Sequence, residues 1–524
     1  MRMVKSCSRS SSNHARNGRY ALRCAGRQGM VRGGAIGRRG RGLTSAWPDQ
    51  RNFHSEQLRQ GLMQAEPQHV DTLISGAFLV TLDPQRRIIR DGAIAIRGDR
   101  IVALGKREQI EPGLIPRHRI DGRRFVATPG LVNGHVHITG EPLTRGYVPE
   151  GIGFEENVFR WQVPLYLAQT PAEERLSAQL AALQMLRSGV TCFLEAGTII
   201  DLDAVVDGLR ESGIRGRVGQ WVQDRAFDPA DRQATLTERA LRTLESELLR
   251  YPAGGDALIA AWPNLIGHST NTDECWRAAK ALADAHGVGV TAHMSPAGID
   301  TEWFLANTGH RPVEHLDALG VLGDRLCLTH LVHIDASEQK LLARCGTHVI
   351  HCPQAALQGA YGATAIGRFP EMAADGINLM LGTDGSVPDL MRAMPLVAGL
   401  FRDARRDSTI FPAHEALTMA TLNGARGLQL EDRIGSLEVG KKADLVLHDL
   451  DRPEWRPLVN VVDQLVWSAD GRSVHSVWVD GRRVVDDYRC TTLDEEALYA
   501  AAQAAAPLIT ARTGLPERSR WPCS

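Results

Sequence analysis

Two histidines separated by a single residue are the first side chains whose spacing suggests chemistry. His135 and His137 close the segment Thr128-Pro-Gly-Leu-Val-Asn-Gly-His-Val-His, in which a Pro-Gly turn leads into an apolar stretch. On a β-strand, residues i and i+2 point to the same face. Both imidazoles can therefore reach one metal ion at the usual zinc to nitrogen distance of about 2.0 to 2.1 Å. Alone, the pair is a weak signal, because two surface histidines in a loop give the same pattern.

Three further polar residues each follow an apolar run of strand length. His293 ends Val288-Gly-Val-Thr-Ala-His, His330 ends Leu326-Cys-Leu-Thr-His, and Asp384 follows the run 377–381. Barrel enzymes build their active sites at the C-terminal ends of their parallel strands. Each residue alone also suits a structural hydrogen bond or a helix cap. Four such strand ends in one chain predict a metal-dependent active site.

The elements that must position these residues alternate between short apolar runs and amphipathic stretches. This alternation predicts a parallel sheet with helical crossovers, and its count and length favour an α/β fold with a closed (β/α)8 TIM-type barrel over an open doubly wound sheet. The candidate strands are 190–194, 258–262, 288–292, 326–329, 348–350 and 377–381, and the candidate helices are 171–188, 236–248, 272–286 and 337–345.

Both flanks of this region have β character instead. Short segments with Gly, Asp and Pro turns lie at 72–82, 88–96 and 101–104, and again at 443–448, 464–468 and 474–479. We predict that the two ends pair into one small β-sandwich domain. The predicted organisation is a basic leader (1–66), an N-terminal sandwich segment (67–127), the hydrolase barrel (128–432), a C-terminal sandwich segment (433–492), and a final helix and tail (493–524) in which Pro507 ends the helix.

The leader differs in composition from the rest of the chain. Residues 1–48 carry eleven Lys or Arg and no acid, which leaves a net charge of −12 for the remainder. Such a segment is expected to be disordered. A transit peptide and a nucleic-acid-binding tail share this composition. The chain has six Lys against 54 Arg, a ratio typical of a GC-rich gene, so we favour a misassigned start, with Met63 as the initiator.

The overall composition excludes several classes of partner. The net charge is −1, and no run of about 18 apolar residues is present to span a bilayer. Nucleic acid and membrane are therefore not expected partners. The nine cysteines are odd in number, scattered and without a Cys-x-x-Cys motif, which favours a reducing, cytoplasmic location.

The motifs taken in order resemble the amidohydrolase superfamily, in its branch of cytosine deaminase, nucleoside-type deaminases and triazine hydrolases. The resemblance runs from about residue 71 to 486 and rests on Pro129-Gly-Leu-Val-Asn-Gly-His-Val-His, Thr329-His-Leu-Val-His, His351-Cys-Pro, Gly382-Thr-Asp-Gly, and Thr421-Leu-Asn-Gly-Ala-Arg-Gly followed by Ile434-Gly-Ser-Leu-Glu-Val-Gly-Lys-Lys-Ala-Asp-Leu. It implies the barrel and sandwich. It further implies that one divalent metal is held by His135, His137, His293 and Asp384, with His330 beside the metal-bound water or the substrate.

The absence of lysine from one segment predicts a single metal per chain. Binuclear relatives commonly bridge two metals with a carboxylated Lys at the end of the fourth strand, whereas no Lys lies between Lys106 and Lys280. Zinc is the expected metal. Iron, cobalt and manganese also suit three His and one carboxylate, and ligand type does not separate them.

One position departs from the deaminases of this branch. They carry Glu three residues after the third metal His, where it protonates the ring nitrogen, but this chain has Pro296 there. Either another acid replaces it or the reaction does not need that proton relay. Glu195, which follows a candidate strand, is the first choice, and Glu155, Asp300 and Glu302 are the other candidates.

The missing Glu favours hydrolysis of an amide, carbamate or urea over ring deamination. In that reaction a metal-bound hydroxide attacks a carbonyl, Asp384 acts as ligand and base, and the metal and His330 polarise the carbonyl. Phenylurea and thiocarbamate hydrolases are the comparison that this resemblance suggests. The alternative is an aminohydrolase of a purine, pyrimidine or triazine-like heterocycle, and a non-catalytic scaffold is the least favoured.

Substrate contacts are expected from loops on the same side of the barrel. The segment 151–161 is aromatic enough for an apolar pocket, and the residues predicted to contact a small-molecule substrate are Trp161, Trp262, Asn264, His268 and Tyr361. The family resemblance also implies a homo-oligomer.

Overall fold

The N-terminal region of the fold is a set of β-strands. The computed structural model describes residues 68–517 and 521, so the predicted leader lies outside the described residues. The first five strands are β1 (Gln68–Val80), β2 (Ile88–Arg97), β3 (Arg100–Lys106), β4 (Leu114–Asp121) and β5 (Phe125–Pro129). β1 pairs with β2 in antiparallel fashion and with β4 and β5 in parallel.

Nine short parallel strands follow, and nearly all their residues are buried. They are β6 (Leu131–Val136), β7 (Val190–Glu195), β8 (Arg215–Val218), β9 (Ile259–Ala261), β10 (Asn264–Gly267), β11 (Val290–Met294), β12 (Leu326–His330), β13 (His348–His351) and β14 (Leu379–Leu381). Near-continuous apolar runs such as 190–194 are typical of parallel strands covered on both faces.

The parallel strands pair in chain order. One sheet has the order β6-β7-β8-β9 and the other β10-β11-β12-β13-β14, with only Trp262 and Pro263 between β9 and β10. Isolated parallel bridges join Val136 to Asp384 and Val222 to Leu265. The result is an α/β fold with parallel strands, and its pairing order is consistent with the predicted TIM-type barrel.

Helices connect the parallel strands and cover them. The α-helices are Arg107–Ile110, Glu141–Thr144, Val163–Leu167, Pro171–Arg187, Leu202–Ser212, Gln233–Arg250, Asp273–His286, Gly298–Thr308, Pro312–Ala318, Ala336–Cys345, Pro353–Gln358, Ala363–Ile366, Phe369–Ala374, Leu390–Arg405, Ala413–Met419, Leu422–Gly427, Val461–Trp467 and Glu495–Thr513, with a π-helix at Glu156–Gln162. No helix in the described region of the chain combines the length and apolar character needed to cross a bilayer.

The C-terminal strands complete the first sheet. They are β15 (Leu445–Asp449), β16 (Val474–Val479), β17 (Arg482–Asp486) and β18 (Arg489–Cys490). β15 pairs with β5, so both flanks of the parallel region enter one nine-stranded sheet, as their shared β character predicted.

A buried ion pair links this sheet to the parallel strands. The Arg215 guanidinium at the start of β8 bonds Asp444 beside β15 at 3.1 Å and 3.2 Å, and Asp480 at 3.0 Å. Arg215 and Asp444 are both almost fully buried. The charges can be buried because each guanidinium and carboxylate finds a directed partner.

The structure agrees with the predicted strands and helices of the parallel region but corrects two other segments. The predicted strand 464–468 lies in the helix Val461–Trp467, because the Asn460 side chain caps the backbone nitrogens of Val462 and Asp463. The C-terminal helix continues past Pro507 to Thr513. Proline removes one backbone hydrogen bond, and burial of Ile509 in an apolar cluster with Leu143 and Leu165 favours the continued helix.

Candidate active site

Five side chains predicted from strand ends come together at the C-terminal ends of the parallel strands. His135 and His137 come from the end of β6, His293 from β11, His330 from β12, and Asp384 from the loop after β14. The ligand atoms of His135, His137 and His293 lie within 4.8 Å of one another, and so do those of His135, His330 and Asp384. The structure therefore assembles the whole predicted cluster.

The outer nitrogens of two of these imidazoles are fixed by neighbouring residues. His293 Nδ1 lies 2.9 Å from the Ile266 carbonyl, and His135 Nδ1 lies 3.0 Å from Thr329 Oγ1. A carbonyl only accepts hydrogen bonds, so His293 Nδ1 carries the hydrogen and Nε2 keeps its lone pair. In this arrangement the Nε2 side of each ring is the one directed at the cluster.

Two buried imidazole nitrogens face the middle of the cluster, which is the observation that fits a metal. Nε2 of His135 has no hydrogen-bond partner, and Nε2 of His137 faces the Asp384 carboxylate. His137 Nε2 lies 2.9 Å from Asp384 Oδ1, and His135 Nε2 lies 3.7 Å from the same oxygen. Imidazole nitrogens and one carboxylate are the donor set that zinc and similar divalent ions prefer.

Burial sets the protonation of most of the cluster. It lowers the pKa of His135 and His293 well below the ordinary value, and lowers the pKa of His330 to about 4. Burial opposes ionisation of Asp384, but the close contact with His137 and the neighbouring imidazoles hold its pKa well below the usual range. His137 differs, because burial is outweighed by Glu141 and Asp384, which raise its pKa well above the ordinary value. Neutral imidazoles and an ionised carboxylate are the forms that bind a metal, so His137 would lose a proton on binding one.

The first-choice acid, Glu195, lies at the end of β7 and is fully buried. Its carboxylate accepts hydrogen bonds from Gly197 N at 2.6 Å, Thr198 N at 3.0 Å, Thr198 Oγ1 at 2.8 Å and Asn264 Nδ2 at 3.1 Å. Burial nevertheless raises the pKa of Glu195 to about 7. These contacts tie Glu195 to its own loop and to β10, and its role in proton transfer stays a prediction.

Another candidate acid, Asp300, reaches the cluster through His268. It is buried in the helix Gly298–Thr308, which follows Pro296. Its Oδ2 lies 2.7 Å from His268 Nδ1 and accepts a hydrogen bond from Ser295 N at 2.7 Å. The His268 ring stacks on His293 with centroids 5.6 Å apart. Asp300 thus connects the loops after β10 and β11 next to the cluster.

Comparison with known proteins places this arrangement in a family. A model described as "Amidohydrolase family" matches residues 126–484. The chain belongs to the amidohydrolase family. It is accordingly a hydrolase that acts on carbon–nitrogen bonds other than peptide bonds, as the motifs predicted.

Several proteins similar to this amidohydrolase are deaminases. The chain is 31% identical over 442 residues to a 5-methylthioadenosine/S-adenosylhomocysteine deaminase of Syntrophobacter fumaroxidans, covering 81% of this chain and 95% of the relative. It is 29% identical over 459 residues to a 5'-deoxyadenosine deaminase of Methanosarcina mazei, covering 84% and 99%. A zinc-bound adenosine deaminase structure from Xanthomonas campestris superposes with a TM-score of 0.77 at 28% identity, covering 85% and 100%.

A small cavity borders the cluster in this amidohydrolase. Its volume is about 100 Å³, and its lining includes Phe154, Tyr361 and Asp384, with residues of the π-helix Glu156–Gln162. Sites for drug-sized ligands have volumes of about 300 to 1,000 Å³. The cavity beside Asp384 is smaller than this range.

Only two of the five predicted substrate contacts lie beside the cluster. His268 stacks on His293, and the Tyr361 ring lies 5.6 Å from the His330 ring. The other three are packed into the interior: Trp161 is fully buried, Trp262 is 2% exposed, and Asn264 bonds Glu195. The sequence places these three near strand ends or loops, but it does not reveal that their side chains pack inward.

Sequence reasoning missed two residues that lie behind the cluster, Glu141 and Tyr166. Glu141 Oε1 lies 3.1 Å from His137 Nδ1 and accepts a hydrogen bond from the Tyr166 hydroxyl. An acid four residues after His137 was a usable signal. Nothing in the sequence points to Tyr166, which comes from the helix Val163–Leu167.

Proposed function

We propose that this amidohydrolase is a metal-dependent aminohydrolase that releases ammonia from an amino-substituted heterocycle, with adenine nucleosides as the first class to test. The observation that carries the proposal is the convergence of buried imidazole nitrogens on the Asp384 carboxylate. The deaminase names of similar proteins, which match over nearly their whole length, support this reaction. These names favour deamination, which is the alternative predicted from the sequence, over the main prediction, which is hydrolysis of an amide, carbamate or urea.

We propose that His135, His137, His293 and Asp384 hold one divalent metal, with zinc the expected ion. The bound zinc in the similar adenosine deaminase supports the choice of metal. When bound, the metal supplies a Lewis acid that activates water for attack on the ring carbon. No Lys lies between Lys106 and Lys280, so the carboxylated Lys that bridges two metals in binuclear relatives has no counterpart here, which supports a single metal.

Asp384 and His330 are the proposed proton-handling and polarising groups. Asp384 is ionised and takes the proton from the attacking water, then returns it to the departing nitrogen. His330 Nε2 lies 3.7 Å from Asp384 Oδ2, and its low pKa keeps it neutral at physiological pH. The carbon–nitrogen bond breaks as ammonia leaves, and the ring retains the oxygen and the second hydrogen of water.

We propose His268, held by Asp300, as the polar group that faces the ring in place of the Glu absent at Pro296. The carboxylate neighbour supports this choice, because Asp300 fixes His268 Nδ1 and leaves Nε2 to contact the substrate. Glu195, the first choice from the sequence, already accepts four hydrogen bonds from its own surroundings.

Hydrolysis of an amide, carbamate or urea is the second candidate. Pro296 favours it, because that reaction requires no acid aimed at a ring nitrogen. The cavity of about 100 Å³ also suits a substrate smaller than a nucleoside.

The finer description of the fold is also a proposal. β9 and β10, separated by only two residues, count as one interrupted strand, which gives eight parallel strands. The bridge between Val136 and Asp384, and the bridge between Val222 and Leu265, support one closed (β/α)8 barrel. Two apolar clusters on the nine-stranded mixed sheet support the sandwich, for which we keep the predicted boundaries. A small-molecule substrate, a cytoplasmic location and a homo-oligomer complete the proposal.

A substrate panel tests the proposed function. Zinc-loaded protein is incubated with 5-methylthioadenosine, 5'-deoxyadenosine and adenosine, and in parallel with simple ureas, carbamates and amides. We expect ammonia and the deaminated base from at least one adenine compound. Cleavage of the carbonyl compounds without deamination of any adenine compound would favour the second candidate.

A further inference from the structure

A carboxylate lies directly behind one of the proposed metal ligands. Glu141 follows His137 by four residues, and its Oε1 lies 3.1 Å from His137 Nδ1. The Tyr166 hydroxyl donates to the same Oε1 and lies 3.4 Å from His137 Nδ1. We propose that Glu141 is a positioning residue that orients His137 for the metal, and that Tyr166 holds Glu141 in place. This inference rests on the metal site proposed above.

The geometry determines which nitrogen of His137 faces the metal. A carboxylate only accepts hydrogen bonds, and Tyr166 uses its single hydroxyl hydrogen on Glu141. The hydrogen between His137 and Glu141 therefore belongs to Nδ1. Nε2 lies on the opposite side of the ring, buried and 2.9 Å from Asp384 Oδ1, so it is the nitrogen that would face a metal.

The three proposed imidazole ligands differ in what supports them. A hydroxyl, Thr329 Oγ1, lies behind His135, and a backbone carbonyl, that of Ile266, lies behind His293. Of the three, His137 alone has a charged group behind its ring. A carboxylate behind a ligating imidazole increases its basicity as well as fixing its orientation. The loss of Glu141 should therefore weaken metal binding through His137 alone.

Close packing leaves little freedom for Glu141 and Tyr166. A Cβ at position 385 would lie 2.6 Å from Glu141 Oε1, and a Cβ at position 140 would lie 2.0 Å from Tyr166 Cδ1. Gly140 also has φ of 79°, which disfavours a side chain. Glycine at both positions thus allows the approach that puts Glu141 between His137 and Tyr166.

Metal affinity measured on three variants tests the proposal. Glu141→Gln removes the charge, and Tyr166→Phe removes the hydroxyl and keeps the ring. Glu150→Gln is the control, because it removes an exposed acid from the same segment between β6 and β7. Zinc dissociation constants are measured by competition with a chromogenic chelator at fixed pH. We expect about 10- to 100-fold weaker binding for Glu141→Gln, a smaller loss for Tyr166→Phe, and no change for Glu150→Gln.

A spectroscopic readout separates positioning from simple packing. In cobalt-loaded protein, the visible absorption reports the ligands of the metal, and we expect it to shift in Glu141→Gln and in Tyr166→Phe. A folded Glu141→Gln variant with wild-type zinc affinity would overturn the proposal. If that variant does not fold, wild-type zinc affinity and an unchanged cobalt spectrum in Tyr166→Phe would overturn it.

These measurements need no substrate, so failure to release ammonia would leave the role of Glu141 standing. A wild-type protein that binds no zinc and no cobalt would overturn the metal site and the role of Glu141 together.

Discussion

The Asp300 carboxylate lies 2.7 Å from Nδ1 of His268. Asp300 belongs to the helix that follows Pro296, whereas His268 follows β10, so the contact joins two adjacent loops at the C-terminal ends of the strands. The same carboxylate oxygen accepts the backbone hydrogen of Ser295. A buried acid thus stands close to Pro296, where the family resemblance leads us to expect Glu, although it reaches the site through a histidine.

Asp300→Ala should lower kcat, because His268 would lose the contact that fixes its orientation. Small misplacements of a group near the reacting atoms cost about 100-fold in rate, and we expect a loss of that order on the best substrate. Glu302, the other candidate acid of this helix, is exposed to solvent. Glu302→Ala is therefore the matched control and should retain wild-type kcat. Equal rates for both variants would remove Asp300 and His268 from the proposed mechanism.

Glu195 should make folding stability depend on pH. Burial raises its pKa to about 7 from an ordinary value of 4.5, outweighing the hydrogen bonds that lower it. Between these pH values the unfolded chain ionises Glu195 while the folded protein does not. Rising pH therefore favours unfolding, by about 3 kcal/mol in total.

Denaturant unfolding of the wild type and of Glu195→Gln from pH 4.5 to 8 measures this effect. The free energy of unfolding of the wild type should fall relative to the variant as pH rises through this window. Comparison with the variant removes the contribution of other buried acids, such as Glu247 with its pKa of about 8. Parallel pH profiles for the two proteins would contradict the raised pKa of Glu195.

Substitution of a proposed metal ligand should abolish tight metal binding. His293→Ala removes the β11 ligand, and elemental analysis after dialysis should show zinc falling from about one per chain to well below that level. His310→Ala, at an exposed histidine, should keep the full zinc content. Retention of wild-type zinc by His293→Ala would show that the metal is held elsewhere.

The buried pair Arg215 and Asp444 should contribute strongly to stability. Arg215→Met leaves the Asp444 charge buried without its main partner, which should cost about 3 to 5 kcal/mol in the free energy of unfolding. Arg242→Met breaks an exposed pair with Glu238 and should cost less than about 1 kcal/mol. Denaturant unfolding of both variants checks the difference, and equal costs would contradict the importance of this link between sheets.

The histidine and aspartate cluster can be predicted from the sequence because each of its residues follows an apolar run. Parallel strands that are buried on both faces have a clear pattern, and their C-terminal ends must meet at one edge, which places His293, His330 and Asp384 together. β8 is not predicted, because it lacks such an apolar run. Its sequence, Arg-Gly-Arg-Val, has no apolar run, because Arg215 is buried only through its pairing with Asp444, far along the chain.

Partners of the cluster are less predictable, because they depend on packing between distant segments. Asn264 is predicted from the sequence as a substrate contact, yet its amide turns toward Glu195 on another strand. Tyr166 reaches Glu141 only because Gly140 and Gly385 leave space. Local patterns carry no information about such contacts, which is why the residues behind His137 emerge only from the structure.

The most direct test of the central claim is the ammonia released per molecule of adenine compound consumed by zinc-loaded protein, compared with protein stripped of zinc by a chelator. The proposed function predicts one ammonia and one deaminated product per molecule, loss of activity on stripping, and recovery when zinc is restored. Zinc-loaded protein that releases no ammonia from any amino-substituted heterocycle, but cleaves amides or ureas, would contradict it.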